Sequence, residues 1–194
     1  MKILMVNKFH YIKGGSETYY FALKRNLIAD GHTVIDFSME DEKNYDSPYA
    51  SYFVDHVDYG NMNGVMPKIK MAANIIYSLE AKKKFEALVK KERPDLIHLH
   101  LFQHQISPSI LDVIKKYDIP TVYTCHDLKL VCLNYKMMHH GSICEACKTG
   151  GYIQCLKNRC VKESLVKSAI NTIEGYLHQF RKSYDVIDKI ITPS

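Results

Sequence analysis

Short apolar runs alternate with stretches of helical periodicity along the first part of the chain. Residues 2–6 form a nearly continuous apolar run, which is typical of a strand covered on both faces of a parallel sheet. Within residues 16–29 apolar side chains recur at helical spacing, and Gly31 is placed to end that helix. A second strand follows at 33–37. The pattern therefore predicts a β-α-β unit.

The same alternation continues to the end of the chain. It predicts a long helix at 67–91, strands at 95–99, 120–125 and 189–192, and helices at 108–117 and 161–184. Residues 40–65 are polar and aperiodic, which indicates a long surface excursion with a short strand at 52–54. We therefore expect a single α/β domain over 1–194, a Rossmann-like parallel sheet with helices on both faces.

Composition fits a soluble domain. The 194 residues are 46% hydrophobic and 24% charged, and the net charge of +5 suits an anionic partner. No apolar stretch approaches the ~20 residues of a membrane span, and the N-terminal apolar run is shorter than a signal-peptide core. We expect a cytoplasmic protein.

Three polar clusters follow predicted strands. They are Gly14-Gly15-Ser16-Glu17, the pair His98 and His100, and His126-Asp127. Ligands of open parallel sheets bind at the carboxyl ends of the strands, so these clusters should converge. The two glycines form either a tight turn or a place where the backbone approaches a phosphate. Glu17 either complements the helix dipole or lines the site.

The histidines have two interpretations as well. His98 and His100 should share one face of their strand, because side chains alternate along a strand. Each is either a hydrogen-bonded structural residue or a ligand contact. His126 directly follows a strand beside Asp127, which favours delivery of its imidazole into the crevice. Neither the G-x-G-x-x-G nor the G-x-x-x-x-G-K-[ST] pattern is present, which disfavours a dinucleotide enzyme and a P-loop NTPase.

A cysteine-rich insertion is predicted at 127–160. Its five cysteines, beginning at Cys132, have the spacing C-x11-C-x2-C-x7-C-x4-C. Structural zinc on Cys144, Cys147, Cys155 and Cys160 is one interpretation, with Cys132 able to replace one ligand. Free thiols and disulfides are the alternatives, and a reducing compartment disfavours disulfides. The segment has few basic residues and no aromatic stacking pattern, so we expect no nucleic-acid partner.

The order of the three polar clusters resembles family 4 glycosyltransferases of the GT-B fold. The resemblance implies the N-terminal, acceptor-side domain of a retaining enzyme that transfers a hexose-type sugar from a UDP or GDP sugar. The acceptor would be a glycan, polysaccharide or lipid-linked saccharide. It places Gly14 and Gly15 near the donor diphosphate and His126 near the reacting carbon, with Glu17, His100 and Asp127 lining the cleft.

The resemblance also implies a C-terminal donor domain, and we expect that domain to be absent from these 194 residues. Without that domain we expect little or no turnover. Basic surfaces such as lysines 82–84, or the helix from Val161, suggest peripheral membrane contact, although charge runs are often only solvated helix faces. Two other hypotheses remain open, a non-catalytic binding or regulatory module and a dinucleotide-binding domain.

Overall fold

The computed structural model describes residues 1–56 and 65–193. The chain forms two compact units, one of Met1–His126 with Tyr184–Ser194 and the other of Asp127–Ser183. The part of the predicted polar excursion at 57–64 lies outside the described residues.

The first unit is built on a five-stranded parallel sheet. Its strands are β1 (Lys2–Val6), β2 (Thr33–Phe37), β3 (Leu96–Leu99), β4 (Thr121–Thr124) and β7 (Lys189–Ile191), in the order β2-β1-β3-β4-β7. The strand order changes direction between β1 and β3, which is the topological switch point of a doubly wound sheet. The predicted Rossmann-like α/β fold is confirmed.

Helices cover both faces of this sheet. Helix α1 (Gly15–Ala29) packs Tyr20 and Phe21 against Ile3 and Met5. On the opposite side of the sheet, Phe37 of β2 meets Phe85 of α3 (Leu79–Glu92) with ring centroids 5.0 Å apart. The continuous apolar runs of the strands follow from this double burial.

The predicted long helix at 67–91 is wrong, because it is two helices. Helix α2 (Val65–Ile76) ends before Ser78, whose side chain caps α3 by accepting a hydrogen bond from the Ala81 N–H at 3.1 Å. The Ser78 N–H donates to Ser107 Oγ at 2.9 Å, and Ser109 Oγ donates to the Ser78 carbonyl at 2.7 Å. These contacts with distant residues hold Ser78 in an extended conformation and interrupt the helix.

The structure also differs from the sequence prediction in shorter elements. Residues 52–54 do not form a strand; a 3-10 helix occupies Ala50–Tyr52, and Val54 makes a single parallel bridge with Met39. A 3-10 turn at Pro108–Ile110 leads into α4 (Leu111–Tyr117).

The second unit consists of short elements and one long helix. They are β5 (Met138–His139), β6 (Ser142–Ile143), α5 (Ala146–Gly150), α6 (Ile153–Lys157) and α7 (Leu165–Phe180). Helix α7 begins later than predicted, because Ser164 caps it and accepts a hydrogen bond from the Lys167 N–H at 3.4 Å. A 3-10 turn at Ser183–Val186 leads back to β7.

Candidate functional site

Three imidazoles form a stacked column in the first unit. His98 lies in β3, His100 follows that strand, and His126 follows β4. The His98 and His100 rings stack with centroids 4.4 Å apart, and the His100 and His126 rings stack at 5.2 Å. His98 and His100 therefore share one face, as predicted, and the parallel register of β3 and β4 brings His126 beside them. We call these three residues the histidine column.

Hydrogen bonds fix the column to the sheet. His98 Nε2 shares a hydrogen bond with Thr124 Oγ1 at 2.8 Å, and His100 Nδ1 shares one with His126 Nε2 at 2.9 Å. His100 is fully buried, whereas His126 keeps part of its surface exposed. A ligand arriving from solvent would therefore reach His126 before His100.

Burial keeps the two inner histidines neutral. Desolvation, followed by the neighbouring His126, lowers the pKa of His98 to about 4. Desolvation, followed by His98 and His126, lowers the pKa of His100 to about 2. Because both values lie well below 7, these imidazoles offer a neutral ring nitrogen near neutral pH rather than a positive charge.

The first turns of α1 pack against this column. The Tyr20 ring meets His100 edge-on at 5.0 Å, and the Tyr19 ring meets His126 edge-on at 5.4 Å. These contacts bring the start of α1 and the ends of β3 and β4 to the same edge of the sheet. The predicted convergence of Gly14-Gly15 with His126 is therefore seen in the backbone arrangement.

The glycine loop does not need glycine for its own conformation. Gly14 is extended (φ −164°, ψ −163°) and precedes α1, and Gly15 is the first residue of that helix. A Cβ at Gly14 would meet nothing closer than Glu17 Oε2, at 3.7 Å, and a Cβ at Gly15 would meet nothing within 4 Å. Neither glycine has a positive φ. Neither predicted role of the two glycines, the tight turn or the approach of a phosphate, is therefore decided by backbone strain.

Glu17 lies under this loop. The residue is buried, and its Oε1 accepts a hydrogen bond from Ser16 Oγ at 3.0 Å. Its carboxylate is within electrostatic range of Lys8. Both predicted roles of Glu17, complementing the helix dipole and lining the site, stay predictions.

Sequence reasoning missed two lysines next to the glycine loop. The Lys8 and Lys13 ammonium groups lie 4.9 and 3.9 Å from the centroid of the Phe9 ring. Burial lowers the pKa of Lys8, Lys13 lowers it further, and Glu17 opposes both effects. The position of Lys8 two residues after a buried strand could have indicated a site residue.

Asp127 belongs to the second unit. Its Oδ1 accepts a hydrogen bond from the Lys129 N–H at 2.9 Å, which closes a short turn. Its predicted contact with a donor stays a prediction.

The cysteines of the second unit surround one cavity of about 410 Å³, with Cys132 joining the four predicted ligands. Across residues 1–56 and 65–193, no three histidine, cysteine or carboxylate side chains are close enough together to hold a metal ion. The predicted zinc site is thus not formed as the thiols stand. In the same part of the chain, no helix is long and apolar enough to span a membrane.

One protein-family model matches this chain. The model of "Glycosyltransferase Family 4" matches residues 13–154, which is most of the chain. An "Uncharacterized 42.6 kDa protein in cps region" of Klebsiella pneumoniae is 26% identical over 153 residues, which cover 73% of this chain and 41% of that protein.

Among solved structures, a "ugt transferase" from Siraitia grosvenorii in complex with UDP aligns with a TM-score of 0.46 at 10% identity. The alignment covers 98% of this chain and 44% of the transferase. The chain thus spans less than half the length of either protein.

Proposed function

The chain belongs to glycosyltransferase family 4, and we propose that it forms the N-terminal, acceptor-side half of a GT-B glycosyltransferase. The enzyme would move a hexose-type sugar from a UDP or GDP sugar to a glycan, polysaccharide or lipid-linked acceptor, with retention of the anomeric configuration. The observation that carries this proposal is the arrangement at one sheet edge of the glycine loop and the partly exposed His126.

The two glycines support close approach of a ligand to the backbone. Neither packing nor φ requires glycine at Gly14 or Gly15, and the absence of a side chain at Gly15 leaves open space at the start of α1. The first N–H groups of α1 and the helix dipole favour a phosphate. Lys8 and Lys13 add positive charge next to the same loop. The donor diphosphate is the group that this combination suits.

His126 is proposed to hydrogen-bond the transferred sugar close to the reacting carbon. His100 Nε2 is buried without a hydrogen-bond partner among the described residues. Placing the His100 proton on Nδ1 avoids a buried N–H with no acceptor, and makes His100 the donor to His126 Nε2. His126 then carries its own proton on Nδ1. His100 is a positioning residue in this scheme, because it acts through His126.

No nucleophile is assigned to this half of the enzyme. The chemistry proposed for it is positioning of donor and acceptor, with electrostatic stabilisation of the leaving diphosphate by the loop N–H groups and the lysines. The rest of the donor site would come from a C-terminal domain, so the 194 residues by themselves would turn over little or no sugar.

Peripheral membrane contact is part of the proposal for a lipid-linked acceptor at the cytoplasmic face. The lysine run is a weak basis for it, because Lys82 pairs with Asp112 at 3.0 Å and Lys84 pairs with Asp55 at 2.7 Å. Helix α7 is a stronger basis for membrane contact, since Val166, Ile173 and Phe180 are exposed at seven-residue intervals along it. Binding to anionic and neutral vesicles would compare the two surfaces.

The test of the proposed function is donor turnover by a chain continued past Ser194 into the donor domain. We expect release of UDP or GDP from the matching nucleotide sugar. His126→Ala should lower the rate by about 10²–10³-fold, as expected for loss of one hydrogen bond that strengthens in the transition state. The matched control is His140→Ala, an exposed histidine in the second unit, which should leave the rate unchanged.

A different result would favour the non-catalytic module. If the longer chain folds, binds no UDP or GDP sugar and releases no nucleotide, the catalytic proposal fails. If it turns over sugar but His126→Ala retains full activity, the placement of the reacting carbon near His126 is wrong.

A further inference from the structure

The first unit contains a cavity that the proposed function does not use. Its volume is about 400 Å³, and small-molecule sites commonly have volumes of about 300–1,000 Å³. One wall is a single face of α1, made of Phe21, Lys24, Arg25 and Ile28, which recur at helical spacing. The rest of the lining comes from the loops that follow β1 and β2.

This cavity lies on a different side of α1 from the histidine column. Tyr19 of α1 meets His126 of the column edge-on, whereas Phe21 and Ile28 line the cavity. Two residues correspond to about 200° around a helix and nine residues to about 180°, so Phe21 and Ile28 face away from Tyr19. A ligand in this cavity therefore lies outside the candidate site described above.

His10 contributes a buried, unpaired imidazole to the lining. The residue is 1% exposed, and neither of its ring nitrogens has a hydrogen-bond partner among the described residues, 1–56 and 65–193. Asp36 Oδ2 lies 3.7 Å from His10 Nε2, which is too distant for a hydrogen bond. Unpaired buried polar atoms are destabilising and rare in native proteins. A ligand can supply the missing partner, because His10 forms part of the cavity lining.

The charges of the cavity lining balance one another. Lys24 forms an ion pair with the buried Asp36 at 2.7 Å. Arg25 and Asp46 are exposed, and the described part of the chain gives neither side chain a hydrogen-bond or ion-pair partner. Burial lowers the pKa of His10, Asp36 opposes this shift and Lys24 adds to it, so the imidazole is neutral near pH 7. A guanidinium and a carboxylate thus remain for a ligand, which suits an uncharged polar molecule better than an anion.

An aromatic ring lies beside these polar groups. The Tyr45 side chain is about half-exposed, and its ring meets Phe21 edge-on with centroids 5.1 Å apart. The Tyr45 N–H donates to the His10 carbonyl at 2.9 Å, which fixes the loop against His10. The C–H face of a sugar ring packs on an aromatic ring, while its hydroxyls donate to carboxylates and accept from guanidinium groups. The lining therefore suits a ring that carries neighbouring hydroxyls.

We infer that this cavity is a saccharide-binding site outside the donor cleft, which takes one uncharged sugar ring of a glycan. The sugar packs its C–H face on Tyr45. Asp46 accepts hydrogen bonds from two neighbouring hydroxyls, Arg25 donates to a sugar oxygen, and a further hydroxyl pairs with the His10 ring. The inference goes beyond the proposed function, because binding here needs neither a nucleotide sugar nor a C-terminal domain.

The test is a titration of the unaltered, isotope-labelled chain followed by nuclear magnetic resonance. The probes are the methyl glycosides of glucose, galactose, mannose and N-acetylglucosamine. At least one should shift the amide signals of residues 10–12, 21–28 and 44–46 and the ring nitrogen signals of His10. The shifts should saturate with a Kd on the order of millimolar, as expected for a ligand with few contacts.

Variants locate the site. Asp46→Ala should weaken glycoside binding at least about tenfold, whereas Glu42→Ala, an exposed carboxylate in the same loop that does not line the cavity, should leave it unchanged. His10→Phe keeps a ring against Phe21 and Phe53 and removes the unpaired nitrogens. It should weaken binding without lowering the midpoint of thermal unfolding.

Several results would overturn the inference. Saturable shifts with none of the four glycosides would do so, as would equal affinity in Asp46→Ala and Glu42→Ala. Shifts confined to the surroundings of His126 would place the sugar in the donor cleft instead. Shifts of the cavity residues by sodium phosphate or uridine, with none by a glycoside, would indicate an anion or nucleoside site.

Discussion

Acidification from pH 7 to pH 5 should destabilise the first unit through the histidine column. His98 and His100 have pKa values of about 4 and about 2 when folded, against 6.5 for an ordinary histidine. Because folding lowers these values, the unfolded chain binds protons that the folded chain excludes. The stability is therefore fully present above pH 6.5 and is lost as the pH falls towards the folded pKa values.

The magnitude follows from the size of the shifts. One pKa unit corresponds to about 1.4 kcal/mol, so each histidine should cost about 2 kcal/mol of unfolding free energy between pH 7 and pH 5. No large reduction for solvent screening applies, since His98 is 7% exposed and His100 is fully buried. A total of about 4 kcal/mol is a large part of the stability of a typical domain.

Urea unfolding followed by circular dichroism at the two pH values measures this loss. The comparison is between the unaltered chain and His100→Phe, which removes one titrating group and keeps a ring in the stack. The variant should lose about 2 kcal/mol less between pH 7 and pH 5. His56→Gln, at an exposed position, should lose as much as the unaltered chain. Equal pH dependence in all three proteins would refute the reasoning.

Other positions give sharper separations between stability and ligand binding. Gly15→Ala should change the unfolding free energy by less than about 1 kcal/mol, since the added Cβ meets nothing within 4 Å. The same substitution should weaken donor binding at least several-fold, measured by calorimetry with the longer chain. Gly31→Ala should lower the unfolding free energy by about 1 kcal/mol, because Gly31 has φ +82°, and it should leave donor binding unchanged. Equal effects of the two substitutions on stability and on binding would contradict the proposed role of the glycine loop. Lys129→Met should cost about 3–5 kcal/mol in urea unfolding, because it leaves the buried Glu174 carboxylate without its ion partner. A cost below about 1 kcal/mol would show that this pair is solvated in solution.

The local pattern was enough to predict the β-α-β unit and the face shared by His98 and His100. Both depend on periods of two and 3.6 residues, which the sequence displays directly. The break at Ser78 was not predictable in this way. It depends on hydrogen bonds to Ser107 and Ser109, about 30 positions further along the chain.

The candidate site, too, was only partly predictable from the sequence. The order of glycine loop, histidine pair and His126 predicted that these residues would share one edge of the sheet. Stacking of His126 on His100 required the register of β3 against β4, and no single strand contains that information. In the sequence, the two glycines resembled the residues of an ordinary turn. Only the space around their Cα atoms distinguishes a turn from a loop that a ligand approaches closely. Lys13 was overlooked because a lysine in a polar loop carries no periodic signal.

The central claim is that these residues form one half of a nucleotide-sugar site. Calorimetric titration with UDP, GDP and their sugars tests it most directly, on the 194-residue chain and on a chain continued past Ser194. The account predicts tight binding of one nucleotide by the longer chain only. Tight binding by the 194 residues alone would contradict it and would indicate a self-sufficient nucleotide-binding domain.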